Sequence, residues 1–217
     1  MYRHILYLRE FFDRADYRVQ MEPVCDPLES DLTTLPVSRQ VKRPVRDTRK
    51  QLGIPEEQKV VMITMGGIPG QYPFLQQLET YDDVCFVIPG AVPRFQTRGN
   101  LRLLPRHSDL FHPDLVHASD AVIGKVGYST LAEVYGAGVP FGYIPRKRFR
   151  ESPVLVDFVR TRMNGLAIDE EVYNSGQWLS HLPDLLAMKK IEREEPRGSD
   201  QAARFIVELL HSKPALS

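Results

Sequence analysis

The sequence predicts an α/β fold: a Rossmann-like, doubly wound parallel sheet of about six strands. Three observations carry this expectation. Short apolar runs recur from residue 60 onward, VVMIT at 60–64, VCFVI at 84–88, LRLL at 101–104, AVIG at 121–124 and VPFGYI at 139–144, with a last short run at 166–168. Most are bounded by glycine or proline and lack polar alternation, which suits strands buried on both faces. Helical periodicity or long connections separate them, and parallel strands require such crossovers. Glycine-rich or basic loops follow several runs, at the carboxyl ends where doubly wound sheets hold their ligands.

Composition narrows the function classes. The chain has 217 residues, 42% of them hydrophobic and 26% charged, enough for one large domain with extensions. Basic and acidic residues balance at 28 each, so no overall field points to nucleic acid or a membrane surface. No apolar run approaches the roughly 18 residues of a spanning helix. The start, MYRHILYLREFF, mixes charge into its apolar stretch and lacks a small-residue cleavage site, so it reads as no secretion signal. Cys25 and Cys85 lie far apart in different kinds of segment and read as lone thiols of a reducing cytoplasm.

Taken in order, residues 2–15 have helical spacing and Asp16 to Met21 reads as a short strand. Residues 23–44 carry Pro23, Pro27, Pro36 and Pro44 with little periodicity and read as a linker or strap. One helix, one strand and a long connector make an odd beginning for a domain. Residues 1–40 are therefore expected to be the remnant of an N-terminal domain plus linker, and 41–217 the main domain. Arg46 to Leu52 is a short basic helix stopped by Gly53. Further helices are expected at 73–81, 113–118, 129–136, 152–163, 176–189 and 199–211.

The stretch from Ala118 to Leu155 organises the rest. AVIG runs into the tight turn Lys125-Val126-Gly127-Tyr128 and then into a helix that Ser129 or Thr130 can cap. A glycine turn feeding a helix start presents unpaired N–H groups and the positive end of the helix dipole, which together favour a phosphate. Glu133 reads two ways: as the acid of a capping box with Thr130, or as an acceptor for ribose hydroxyls beside a bound diphosphate. Gly66-Gly67, after the first strand, is either a plain turn or part of a cleft wall. Neither GxGxxG nor GxxxxGK[ST] is present, so neither dinucleotide fingerprint nor Walker loop is available. Lys125 reads as a solvated loop residue or one facing the ligand. The run PRKRFRES reads as a solvated basic face or, because Glu151-Ser152-Pro153 opens a helix there, as a place for sugar hydroxyls. His107, His112 and His117 have no metal-ligand spacing with any cysteine or acid cluster, so no metal site and no cofactor are expected. No GxSxG elbow is present.

Those residues carry a resemblance. GKVGYSTLAEVYGAGVP, with Ser119-Asp120 before it and Arg150-Glu151-Ser152-Pro153 after it, resembles the C-terminal half of glycosyltransferases of the GT-B fold. It is similar to the UDP-N-acetylglucosamine-using enzyme of peptidoglycan-precursor synthesis. It is more similar to the glycosyltransferase-like N-terminal portion of arabinokinases, where the turn runs Gly-Tyr-Gly-Thr and this chain has Ser129. The resemblance covers roughly residues 40–170 and is strongest over 113–157. It implies the donor half of a glycosyltransferase, with a nucleotide-sugar, UDP-linked, as ligand. Gly127, Tyr128, Ser129 and Thr130 would cradle the diphosphate, with Gly66 and Gly67 lining the cleft opposite. Glu133 would take the ribose hydroxyls, and His107, Leu110 and Phe111 would border the base. Lys125, Arg150 and Glu151 would approach the donor sugar. The catalytic base and acceptor site usually come from an N-terminal half, expected here from a missing domain or a partner chain. A non-catalytic module and a nucleotide-sugar epimerase of the same fold are the other classes open.

Overall fold

The computed structural model describes residues 2–66 and 72–212. In chain order it begins with α1 (Tyr2–Phe12), β1 (Val19–Met21) and β2 (Leu32–Thr34), then α2 (Val45–Gln51) and β3 (Lys59–Thr64). There follow α3 (Leu75–Leu78), β4 (Val84–Pro89), β5 (Gln96–Arg98), β6 (Leu101–Leu104), α4 (His112–Ala118) and β7 (Ala121–Lys125). Next come α5 (Tyr128–Ala137), β8 (Phe141–Ile144), α6 (Ser152–Arg162), β9 (Gly165–Ala167) and α7 (Glu170–Ser175). A 3₁₀ turn (Gln177–His181), α8 (Leu182–Ala187) and α9 (Gly198–Ser212) complete it. No described helix is long and apolar enough to cross a membrane.

The described chain separates into two compact units, residues 1–37 with 196–217, and residues 38–195. This division differs from one boundary near 40 with everything afterwards together. The reason is local: Gly198 has no room for a Cβ against the Leu35 carbonyl, and the Leu35 amide donates to Gln201 Oε1 at 2.9 Å. Within this first unit β1 and β2 pair in parallel, Val19 opposite Leu32, so the expected strap contains a strand.

The second unit is a seven-stranded sheet in the order β5-β6-β4-β3-β7-β8-β9. Its six parallel strands run 3-2-1-4-5-6 by order of appearance, the doubly wound Rossmann arrangement. The seventh is β5, paired antiparallel to β6 at the edge, with all three residues exposed. Strands β3, β4, β6, β7 and β8 are buried nearly end to end because helices cover both faces. The largest fully buried side chains include Trp178, Phe74, Phe86 and Phe141. Cys85 is a free thiol buried within β4.

The order of strands reverses between β3 and β7. There a crevice must open at the carboxyl ends, since the connections leave the two strands to opposite sides.

Candidate functional site at the strand carboxyl ends

The crevice is built on a close approach of backbones. β3 and β7 pair with Thr64 opposite Gly124, and a Cβ on Gly124 would overlap the Thr64 carbonyl oxygen. β3 then ends through Met65 into Gly66, whose φ of +66° is the left-handed conformation that glycine adopts without strain. Gly67 falls outside the described residues.

Beyond β7, Val126 is buried and the chain turns through Gly127 directly into α5. Gly127 is the N-cap residue, in extended backbone (φ −157°, ψ 152°), with no side-chain cap. The expected cap at Ser129 or Thr130 is thus corrected. Helix geometry already begins at Tyr128, which places Ser129 and Thr130 inside the first turn and Glu133 in the second, out of reach of a capping box. The N–H groups of Tyr128, Ser129 and Thr130 have no acceptor within the helix. Tyr128 and Ser129 are exposed and Thr130 is buried. Helix α6 begins nearby with Glu151 at its N-cap and Pro153 in its first turn. Both helix starts border one cavity of about 130 Å³, lined by Gly127 and Tyr128 from one side and Glu151 and Ser152 from the other.

Glu133 is 5% exposed and fully engaged. Arg39 donates to its Oε1 through Nε at 3.0 Å and Nη2 at 2.8 Å, and His112 Nδ1 lies 2.6 Å from Oε2. Burial alone would raise the Glu133 pKa; the hydrogen bonds and charges of His112 and Arg39 outweigh it and hold the carboxyl below its usual range. With the carboxylate ionised, Nδ1–H donates to it. Nε2 lies 3.2 Å from Thr64 Oγ1, and the Gly66 amide approaches the same hydroxyl at 3.4 Å. A polar cord thus runs from Arg39 through α5 and the start of α4 to the end of β3.

The remaining expected residues divide among neighbouring cavities. His107 lines one of about 370 Å³ at the ends of β3, β4 and β6, walled by Met65, Pro89, Val92 and Pro105. Leu110 and Phe111 line another of about 460 Å³ beside Arg39, Lys42, Arg43 and Arg106. His112 borders both. The Phe111 ring is faced by Lys42 Nζ at 4.3 Å and Arg39 Cζ at 4.9 Å, two cation–π contacts. Lys125 ends β7, lies 3.9 Å from Glu170, and borders a third cavity. Arg150 is exposed in the loop leading to Glu151.

Sequence reasoning missed His112 and Arg39 as partners of Glu133. It also left the Ser119-Asp120 pair without a role. Asp120 Oδ2 accepts from the Val60 amide and from Arg49 Nη2, both at 2.8 Å, so this acid ties β3 and α2 to the start of β7. Ser119 Oγ donates to the Leu115 carbonyl.

No family model matches the sequence. Among solved structures, the spinosyn forosaminyltransferase SpnP superposes with a TM-score of 0.56 over 90% of this chain and 55% of its own, at 18% identity. The UDP-GlcNAc 2-epimerase from Neisseria meningitidis, bound to UDP-GlcNAc, superposes with a TM-score of 0.51 over 77% of this chain and 49% of its own, at 19% identity. The chain has the C-terminal half of the GT-B fold. Among curated proteins, L-arabinokinase of Arabidopsis thaliana is 27% identical over 203 residues, 93% of this chain and 19% of that protein. An uncharacterized glycosyltransferase of Methanopyrus kandleri is 26% identical over 216 residues, 92% of this chain and 62% of that protein. The GT-B half described here therefore spans less than two thirds of either relative.

Proposed function

We propose that this chain is the donor half of a glycosyltransferase and binds a UDP-linked sugar. The observation that supports this most is the convergence of two helix starts on one cavity of phosphate-like size, next to the switch point. The diphosphate would lie across the N–H groups of Tyr128, Ser129 and Thr130, facing Ser152. The base would enter the cavity walled by Pro89, Val92 and Pro105, beside His107, with Leu110 and Phe111 at its border. Gly66 and Gly67 would form the wall opposite. Lys125, Arg150 and Glu151 would approach the sugar.

Glu133 is the ribose acceptor in this reading, and the geometry attaches a condition. Its Oε1 must be surrendered by Arg39, whose side chain is 59% exposed and can move into water, while the ribose hydroxyls replace the two hydrogen bonds that the buried carboxylate gives up. The dipoles of both helices and the open N–H groups at the start of α5 would then stabilise the charge that develops on the departing diphosphate, the Ser152 amide being held by the Phe149 carbonyl. Transfer further needs an acceptor held opposite and water kept out, which a second wall must supply. Alone, the chain is expected to bind without transferring. The free, buried thiol of Cys85 is compatible with a reducing, cytoplasmic setting.

Thermal unfolding with UDP, GDP, ADP and dTDP and their sugars tests the reading. A ligand at 100 times its Kd stabilises by about 2.7 kcal/mol, or roughly 5–11 °C for a domain of this size. A response confined to uridine nucleotides is expected. Equal response to every nucleotide, or to none, refutes it. The superposition with a UDP-GlcNAc 2-epimerase supports a second reading, which predicts free UDP and an epimerised sugar without any acceptor.

A further inference from the structure

One charged cavity lies apart from the places proposed above for the base and the ribose. It encloses about 420 Å³ beyond the carboxyl ends of β7 and β8, and its lining includes Lys125, Arg146, Lys147, Arg148, Phe149 and Glu170. Four of these are cations and one is an acid, in a chain whose charges balance at 28 each. Lys125 faces Glu170, and the Arg146 guanidinium lies over the Phe149 ring. Lys147 and Arg148 are exposed and make no ion pair among the described residues.

The loop that carries them is a built turn. The Arg146 amide donates to Ser152 Oγ at 2.9 Å, the Phe149 amide to the Arg146 carbonyl at 3.0 Å, and the Ser152 amide to the Phe149 carbonyl at 3.0 Å. These bonds seat the loop on the start of α6 and leave Lys147 and Arg148 at its tip. Arg146 and Phe149 also line the small cavity where α5 and α6 converge. The two cavities therefore adjoin at Arg146 and Phe149, and a group bonded next to a diphosphate in the smaller one would lie toward the larger.

Cations crowded together repel one another, and neutral hydroxyls offset little of that cost; an anion offsets it directly. We propose that the larger cavity is a subsite for an anionic sugar, one bearing a carboxylate or a phosphate, recognised by Lys147 and Arg148. This deepens the donor-site reading and rests on it for the order of groups along the ligand. The anion can belong to the donor's sugar or to the acceptor, and the two are separable.

Calorimetry on the wild-type chain and on Lys147→Ala/Arg148→Ala decides. The donor arm compares UDP-glucuronate with UDP-glucose; the acceptor arm compares glucose 6-phosphate with glucose in the presence of UDP. The anionic member of one arm is expected to bind about tenfold more tightly, as one charge-assisted contact provides, and the preference to fall below about twofold in the double variant. Binding of UDP itself should change less than about twofold, within the span of an exposed charge. No preference in either arm, or one that survives the double substitution, overturns the proposal. If UDP does not bind at all, the nucleotide reading fails, and glucose 6-phosphate titrated alone still decides this one. Binding lost in the double variant supports it, and binding absent or unaffected overturns it.

Discussion

Replacing Glu133 with glutamine probes the polar cord at its centre. The substitution keeps shape and volume but removes the charge that two donors share. A hydrogen bond to a charged group contributes about 1.5–3 kcal/mol when desolvated, and a solvated one about 0–1. The His112 side belongs nearer the first range and the exposed Arg39 side to the second. Glutamine retains one acceptor oxygen, so its amide group must face one of the former donors. The expected loss is about 2–3 kcal/mol, a fall of roughly 4–12 °C in melting temperature for a domain of this size. The sign with pH follows from the lowered Glu133 pKa. A carboxyl with a depressed folded pKa contributes stability that is present above its unfolded value, 4.5, and lost as pH falls through the folded one. Melting curves of wild type and variant should therefore differ fully at pH 7, begin to approach one another as pH falls below 4.5, and converge only once it has passed the depressed folded value. A variant that melts within about 1 °C of wild type at pH 7 refutes the assignment, as does a gap that persists unchanged in acid.

Other expectations follow from single contacts. Gly124→Ala forces a methyl group into the Thr64 carbonyl and should cost about 3 kcal/mol or more, read by urea unfolding. Replacing Arg102, which is buried and donates to the Leu52, Gly53, Gly99 and Leu101 carbonyls, by methionine leaves those acceptors unpaired and should lower stability by about 3 kcal/mol, again by urea unfolding. Burial pushes the Cys85 thiol up to about 11, so in the folded protein it should resist iodoacetamide at pH 8 and react after unfolding. If ribose takes Oε1 of Glu133, wild type should prefer UDP over 2′-deoxy-UDP, and Glu133→Gln should bring that ratio close to one by calorimetry.

The sheet was legible because its strands are apolar on both faces, a pattern that only a covered parallel sheet explains. Val60 to Thr64, Val84 to Ile88, Leu101 to Leu104 and Ala121 to Gly124 all lie within observed strands. β5 was not legible, since Gln96-Thr97-Arg98 is wholly exposed and is a strand only because β6 offers it an edge. β2 was hidden for a similar reason: its partner is β1, across a proline-rich connection. The helix expected over 176–189 breaks into a 3₁₀ turn and α8. Gly176, with φ +79°, caps α7, and Pro183 starts α8 afresh. At the site, the glycine turn and the helix it feeds were visible as a motif. The partners of Glu133 were not. In the sequence His112 is the end of a loop expected to border the base and has no metal-ligand spacing, and Arg39 sits in a segment with no periodicity at all. One signal for His112 was available: it immediately precedes Pro113, at a helix start facing the strand ends, where a polar side chain points into the crevice.

The proposed donor site depends on phosphate held where α5 and α6 begin. Backbone amide spectra of the ¹⁵N-labelled chain, titrated with UDP, test that most directly. Saturable shifts centred on Tyr128, Ser129, Thr130 and Ser152 are predicted, accompanied by His107 and Glu133. Spectra that do not move, or shifts gathered away from α5 and α6, contradict it.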